Sequence, residues 1–201
     1  VSRADARKQL GLASDEVSVL AFGGSLGAER HNDALVALAE RVARDLPHVT
    51  LTFAAGKRDY DRTAANLKGS AAAGCPRISL LDYIYDMPVR MAAADLVVSR
   101  AGAMTVSELS LLGKAAVLVP SPYVADNHQL RNAQALVRAG AGVCVEEDGL
   151  PGGALERAVL PLLAQSAERA AMGQRLQEGF ACPDANERLC GELLRLARGQ
   201  A

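Results

Sequence analysis

The chain has 201 residues, of which 50% are hydrophobic, 22% are charged and 3% are aromatic. This apolar content excludes a disordered chain, and a formal net charge of −1 supplies none of the positive field that nucleic-acid binding needs. No apolar run approaches the ~20 residues of a membrane span, and early charges such as Arg3 and Asp5 argue against a secretory signal. The four cysteines form no regular pattern, so one globular domain in a reducing compartment is expected.

Short β-branched apolar runs alternate along the chain with segments that carry apolar residues at helical spacing. The predicted strands are 17–22, 49–54, 77–81, 95–99, 115–120 and 142–145. The predicted helices are 32–46, 58–67, 87–94, 105–112 and 127–139, with a helical remainder from about Gly152 and a last helix introduced by Pro183. This order predicts an α/β fold, a Rossmann-like parallel sheet with helices on both faces and a helical C-terminal tail.

The body of the predicted domain is residues 1–165 and the tail is residues 166–201. Leucines and charged residues are mixed in the tail, so its last helix packs either on this domain or on a partner domain outside the chain. The sequence begins at Val1 rather than Met, which is consistent with a piece of a longer protein.

Ligands of open parallel sheets bind where strands end and helices begin, so the loops after the strands are the candidate sites. The first is the glycine-rich turn of residues 23–28 (GGSLGA), which would let backbone N–H groups approach an anion. It is not a dinucleotide fingerprint, because Ser25 stands where glycine is required and no acid ends the next strand. A tight strand–helix turn explains the glycines equally well.

The second loop is residues 99–108 (SRAGAMTVSE). Thr105 and Glu108 have the spacing of a capping box, which would be a purely structural role. The functional alternative is a nucleotide site, in which the N–H groups of Ala103, Met104 and Thr105 bind a pyrophosphate at the helix start. Glu108 would then accept both hydrogens of a ribose diol, and Arg100 would add a cation.

Two further loops are less specific. Residues 120–133 carry many amides and hydroxyls, which suit sugar hydroxyls. An N-cap at Asp126 or Asn127 explains the start of that helix but not the Gln129 and Asn132 that follow. Residues 81–87 (LDYIYDM) could offer backbone groups to a base edge or could be an ordinary loop.

The histidines His31, His48 and His128 are far apart in sequence and form no metal-binding or nucleophile-activating motif. We interpret His31 and His48 as ordinary surface or helix-end residues, and we expect neither a metal nor a cofactor.

The segments GGSLGAERHN, YIYDM, DLVVSRAGAMTVSEL and GKAAVLVPSPYVADNHQLRNA, followed by Pro183-Asp184-Ala185, occur in an order and spacing that resemble the C-terminal half of the MurG family. Members of that family are the N-acetylglucosaminyltransferases that make lipid II for peptidoglycan and the dividing cell wall. The resemblance covers nearly the whole chain. It implies one half of a two-domain GT-B fold, namely the half that binds the nucleotide sugar.

The resemblance implies a site for UDP-GlcNAc. Ser25 would contact the diphosphate, which would lie at the helix start described above. Ile84 would present backbone groups to uracil, and Glu108 would take the ribose hydroxyls. His128 and Gln129 would read the hydroxyls of N-acetylglucosamine.

The resemblance also implies an inverting, metal-independent transfer to lipid I at the cytoplasmic face of the bacterial plasma membrane. The catalytic base and the acceptor surface would lie in an N-terminal half that this chain lacks. The chain therefore holds no catalytic residue of its own, and by itself it is expected to bind the donor without transferring it.

Three alternatives stay open at this point. The chain could be a separate donor-binding subunit of a two-chain glycosyltransferase. It could be a UDP-GlcNAc 2-epimerase-like protein, which would share the GT-B fold and the donor site. It could also be a nucleotide-binding or regulatory module without chemistry.

Overall fold

The computed structural model describes residues 1–24 and 28–198, and a parallel sheet organises them. Its strands are β1 Val17–Phe22, β2 Val49–Ala54, β3 Ile78–Leu81, β4 Leu96–Ser99, β5 Ala116–Leu118 and β6 Val143–Cys144. They lie in the order β3-β2-β1-β4-β5-β6. Phe22 of β1 is level with Ala54 of β2 and Ser99 of β4, so these strands end together. From β1 the chain adds β2 and β3 on one side, and then crosses to add β4, β5 and β6 on the other. Ligands of such sheets bind at this switch point, between β1 and β4.

Helices cover both faces of the sheet, so the predicted Rossmann-like α/β architecture is confirmed. They are α1 Arg3–Gln9, α2 Glu29–Asp45, α3 Tyr60–Lys68, α4 Met87–Ala93, α5 Ala103–Leu112, α6 His128–Arg138, α7 Ala154–Ala164, α8 Ser166–Phe180 and α9 Ala185–Ala197. Short 3-10 segments occupy Ala125–Asn127 and Glu147–Gly152.

The strands are buried on both sides, which explains why their sequences read as nearly continuous apolar runs. Neighbouring side chains of a strand point to opposite faces. In β1, Val19 belongs to the core under α2 and α7, while Leu20 belongs to the core under α4, α5, α6 and α8. Both side chains are almost fully buried.

Helix α1 was missing from the predicted elements. Ser2 caps it by accepting a hydrogen bond from the Asp5 backbone N–H at 3.1 Å, and its Oγ donates to the Asp5 carboxylate at 2.6 Å. Ala6 then packs against Ala92 and Ala93 of α4. The Ser-x-x-Asp spacing was the available signal, but a helix of seven residues has little hydrophobic pattern to reveal it.

Asp95, directly before β4, joins three segments of the chain. Its carboxylate accepts from the β1 backbone N–H of Ser18 at 2.8 Å and pairs with both Arg3 and Arg7 of α1. Arg7 is nearly buried and also donates to the carbonyl oxygens of Ala13 and Glu16. This carboxylate therefore ties α1 to the amino ends of β1 and β4.

The tail divides into a packed helix and an exposed one. Gly173 of α8 lies so close to α5 that a Cβ added there would collide with the Gly113 carbonyl oxygen, and Leu176 of α8 is fully buried. Helix α9 buries no residue. Its exposed leucines are Leu189, Leu193, Leu194 and Leu196.

We predict that Arg7→Ala lowers the free energy of unfolding by about 2–4 kcal/mol, because it removes one partner of a nearly buried ion pair and leaves carbonyl oxygens unsatisfied. Arg3→Ala is the matched control, since Arg3 binds the same carboxylate from an exposed position. It should cost at most about 1 kcal/mol. Urea denaturation measures both, and equal losses would contradict the assigned role of Arg7.

Candidate functional site

The carboxyl ends of the strands form the floor of a cavity of about 500 Å³, which we call the sheet-edge cavity. It lies beside the point where the strand order changes direction. Its walls include Gly23, Ala28, Arg100, Ser121, Gln129 and Glu147. Further cavities of about 450 and 580 Å³ in the described chain lie at mid-strand and between α6 and β6.

The first turn of α5 has no side-chain cap. The helix begins at Ala103 after Gly102, and no side chain accepts from its first N–H groups. Thr105 is the third residue inside the helix and not its cap, so the capping box that Thr105 and Glu108 suggested is not formed. Among the described residues, the N–H groups of Ala103, Met104 and Thr105 have no acceptor, as expected for a first helical turn.

Glu108 lies one turn further along α5, on the same face as Met104. Both side chains are exposed, and Met104 is 74% accessible. In the described part of the chain, Glu108 makes no hydrogen bond or ion pair. A carboxylate without a protein partner is therefore placed beside a helix start without a cap.

Arg100 reaches the sheet-edge cavity, but its charge is already matched. It pairs with the buried Glu147 at 2.6 Å and donates to the carbonyl oxygens of Val119 and Pro120 at 3.1 Å each. These contacts fix the guanidinium in place. Glu147 was missed from the sequence, where it is one of three consecutive acids that follow the last strand.

The amide of Gln129 has a defined orientation. Its Oε1 accepts a hydrogen bond from the Ser121 backbone N–H at 2.9 Å, which leaves the NH₂ group as a donor. Because an N–H group can only donate, the opposite orientation of the amide would lose this bond. Gln129 lines the sheet-edge cavity.

The neighbouring polar residues organise the loop that carries Gln129. His128 is exposed and its Nδ1 lies 2.9 Å from the Ala125 carbonyl oxygen, so Nδ1 carries the proton and Nε2 is free to accept. Asn127 precedes α6 as predicted but makes no side-chain cap bond. Asn132 donates to the Ala101 carbonyl oxygen at 3.0 Å, which ties α6 to the loop after β4.

Ile84 is buried in the core with Met91 of α4, so its side chain is not available to a ligand. No described residue accepts from or donates to that backbone. The flanking rings of Tyr83 and Tyr85 are exposed and lie edge to face with centroids 5.0 Å apart. The Lys57 ammonium lies 5.9 Å from the Tyr83 ring centre.

The glycine-rich turn is described only at its ends, and Ser25 lies outside the described residues. Gly23 must be glycine, because an added Cβ would come 2.9 Å from the Ala28 Cβ and 3.0 Å from the Nδ1 of His31. Gly23 therefore rests directly on the His31 ring.

The sequence analysis interpreted His31 as an ordinary surface or helix-end residue. Its place near a helix end is correct, but the expectation that it is exposed was wrong. His31 lies in the first turn of α2 but is completely buried, and neither ring nitrogen has a hydrogen-bond partner among the described residues. Burial lowers the pKa of His31 from 6.5 to about 3, with a smaller contribution from the Arg100 charge, so the ring is neutral at physiological pH. The available signal was helical spacing, because His31 precedes the buried Leu35 by four residues. His48 is exposed.

The predicted site residues thus divide into neighbouring groups along one edge of the sheet. Arg100 and Gln129 line the sheet-edge cavity together. Ala103, Met104 and Thr105 with Glu108 form the start of α5, and Ile84 lies on the loop after β3. His128 belongs to the loop of Gln129 without lining the cavity.

Among residues 1–24 and 28–198, no group of three or more histidine, cysteine or acidic side chains is placed to hold a metal ion. Every helix in that part of the chain is too short or too polar to cross a bilayer.

Comparison with known proteins identifies the family. The model of the glycosyltransferase family 28 C-terminal domain matches residues 18–189. A UDP-N-acetylglucosamine--N-acetylmuramyl-(pentapeptide) pyrophosphoryl-undecaprenol N-acetylglucosamine transferase of Acetivibrio thermocellus is 49% identical over 150 residues, which are 75% of this chain and 40% of that protein. The protein of the same name from an Exiguobacterium species is 40% identical over 189 residues, 94% of this chain and 49% of the relative.

The crystal structure of Acinetobacter baumannii MurG superposes with a TM-score of 0.76 at 27% identity, covering 97% of this chain and 53% of that one. The chain spans about half the length of the relatives it matches. The resemblance to the C-terminal half of MurG is confirmed. Since the family model covers most of its residues, this chain belongs to the family of glycosyltransferase family 28 C-terminal domains.

Proposed function

We propose that this chain is the donor-binding half of an N-acetylglucosaminyltransferase that uses UDP-GlcNAc to convert lipid I to lipid II. The relatives are named for transfer of N-acetylglucosamine to a pyrophosphoryl-undecaprenol acceptor. The observation that carries the proposal is the start of α5, where no side chain of residues 1–24 or 28–198 caps the helix or pairs with the neighbouring Glu108. A helix start binds the diphosphate through its N–H groups, and a carboxylate one turn further along the helix accepts hydrogen bonds from the ribose hydroxyls.

The diphosphate lies at the first turn of α5 in this proposal. The N–H groups of Ala103, Met104 and Thr105 donate to its oxygens, and the helix dipole favours the negative charge. Arg100 contributes fixed N–H donors, because its ion pair with Glu147 matches its charge and holds the guanidinium still. Ser25, on the glycine-rich turn, completes the diphosphate contacts.

The nucleoside and the sugar take the remaining loops. Glu108 accepts hydrogen bonds from the ribose hydroxyls, and the backbone of Ile84 reads the uracil edge. Gln129 offers its NH₂ group and His128 its Nε2 lone pair to the hydroxyls of N-acetylglucosamine. Such a combination of one donor and one acceptor suits a sugar, whose hydroxyls do both.

The transfer inverts the anomeric configuration and needs no metal ion. The acceptor hydroxyl attacks the anomeric carbon as the bond to the β-phosphate oxygen breaks, and a base on the absent half takes the hydroxyl proton. The UDP leaving group gains negative charge as that bond breaks. The α5 N–H groups and Arg100 stabilise this charge, and fixed donors of this kind are worth a few kcal/mol each in a dry site.

The acceptor binds to the half that this chain lacks. The leucine-bearing face of α9 packs on that half, because the relatives are about twice as long and the face is otherwise left in water. In this arrangement the tail of residues 166–201 divides, with α8 packed on the domain body and α9 meeting the other half. The complete protein then works at the cytoplasmic face of the membrane as a peripheral enzyme.

We predict that Glu108→Ala weakens UDP binding roughly 5- to 100-fold, because a charged hydrogen-bond acceptor of the ribose is lost. Glu187→Ala, which removes an exposed carboxylate from the first turn of α9, is the matched control and should leave the affinity unchanged. Isothermal titration calorimetry measures both. An unchanged affinity in a folded Glu108→Ala protein would remove Glu108 from the site.

We predict that Gln129→Glu lowers the affinity for UDP-GlcNAc roughly tenfold and leaves that for UDP unchanged. The new carboxylate still accepts from Ser121 but replaces the NH₂ donor that faces the sugar. Gln134→Glu adds the same charge at an exposed position of α6 and should have no effect. Equal losses for UDP and UDP-GlcNAc would show that Gln129 does not read the sugar.

We predict that excess EDTA leaves UDP-GlcNAc binding unchanged, because helix N–H groups and Arg100 hold the diphosphate. The same chain should transfer no sugar to lipid I and should not epimerise UDP-GlcNAc. Calorimetry and chromatography of the soluble and lipid products check these outcomes. Strict dependence on Mg²⁺ or Mn²⁺, or turnover by the chain alone, would contradict the proposal.

A further inference from the structure

His31 carries a cost that packing alone does not explain. The ring is fully buried, and in the described chain neither nitrogen has a hydrogen-bond partner. A buried polar group without a partner destabilises a protein by about 1–3 kcal/mol, whereas an apolar side chain of similar size would fill the same space without that cost. An unpartnered group of this kind is explained when a ligand supplies the missing partner.

The surroundings of His31 identify where that partner binds. Its Nδ1 packs on Gly23, and Gly23 forms a wall of the sheet-edge cavity. Arg100 lines the same cavity, and its charge contributes to the lowered pKa of the ring. His31 also lies in the first turn of α2, a helix of 17 residues whose Ala28 cap provides no side-chain hydrogen bond.

We infer that His31 is a binding residue for the donor diphosphate, and that its ring gains a hydrogen bond to a phosphate oxygen, directly or through one water, only when the nucleotide is bound. This inference rests on the proposed function. It adds a neutral donor, at the start of α2, to the groups assigned at the start of α5.

The neutral ring is the form that fits this position. Arg100 would repel an imidazolium, whereas a neutral imidazole still offers one N–H donor without a second positive charge. In the free protein that donor is held in the core without a partner among the described residues, so the free protein loses some stability in exchange for a stronger site. Trade-offs of this kind are typical of binding sites.

The decisive variants are His31→Leu and His31→Asn. His31→Leu should raise the melting temperature or leave it unchanged, since no buried polar group remains, and should weaken UDP binding roughly tenfold. His31→Asn, which keeps a polar atom near the place of Nδ1, should recover most of the affinity. A residue needed only for packing would show the opposite order, with a lower melting temperature and an unchanged affinity.

A second measurement uses the unaltered protein. With ¹⁵N-labelled histidine, saturation with UDP should shift the ring nitrogens of His31, while exposed His48, at the other end of α2, serves as the internal control. The signals are assigned with the His31→Leu protein or, if it does not fold, by elimination with variants of the other two histidines.

The outcomes separate this inference from the proposed function. If the unaltered chain does not bind UDP in calorimetry, the proposed function fails and the inference fails with it. If UDP binds while the His31 signals do not move, or if His31→Leu binds UDP as tightly as the unaltered chain, only the inference is overturned. A tenfold loss with an undiminished melting temperature supports it.

Discussion

The start of helix α5 is the constraint on which the site depends. Its first N–H groups are fixed by the helix and receive no acceptor from a capping side chain. Helix α5 follows β4, which is a central strand of the sheet. The hydrogen bond from Asn132 to the Ala101 carbonyl oxygen holds the loop between them. An anion is the partner that such a helix start favours, since both its N–H groups and its dipole are complementary to negative charge. The positions of Glu108 and Arg100 have functional meaning only relative to this point.

Polar groups around the sheet-edge cavity differ in whether another group of the protein satisfies them. Arg100 and Glu147 are nearly buried and form an ion pair at 2.6 Å, and the Gln129 amide is fixed by Ser121. His31 is the contrasting case, because it is buried with no partner in the described chain. Groups that are already oriented lose little conformational freedom when a ligand arrives, so their bonds contribute more fully to affinity. The rigid sheet beneath them makes that orientation possible.

The two helices of the tail differ in burial, because α8 packs on the domain while the leucines of α9 are exposed. Helix α8 is part of the domain, because Leu176 is buried and Gly173 lies directly against α5. Helix α9 has the same mixture of leucine and charge but buries nothing. A helix with an exposed apolar face is stabilised mainly by the surface that eventually covers it. The relatives that this chain matches are about twice as long, and the proposed function assigns the covering surface to their other half.

The sequence by itself determined the parallel α/β sheet, its strands to within a few residues, and the loops that carry the site. Hydrophobic periodicity and the placement of glycines are properties of short segments, so they can be recognised in the sequence without knowledge of the fold. The family could also be recognised from the sequence, because its motifs are short segments that occur in a fixed order and spacing. Only the tertiary structure decided that Thr105 is inside α5 and not its cap, that Glu147 pairs with Arg100, and that His31 is buried without a partner among the described residues. These facts depend on contacts between residues far apart in sequence, and whether a polar side chain finds a partner is fixed only when those residues pack together.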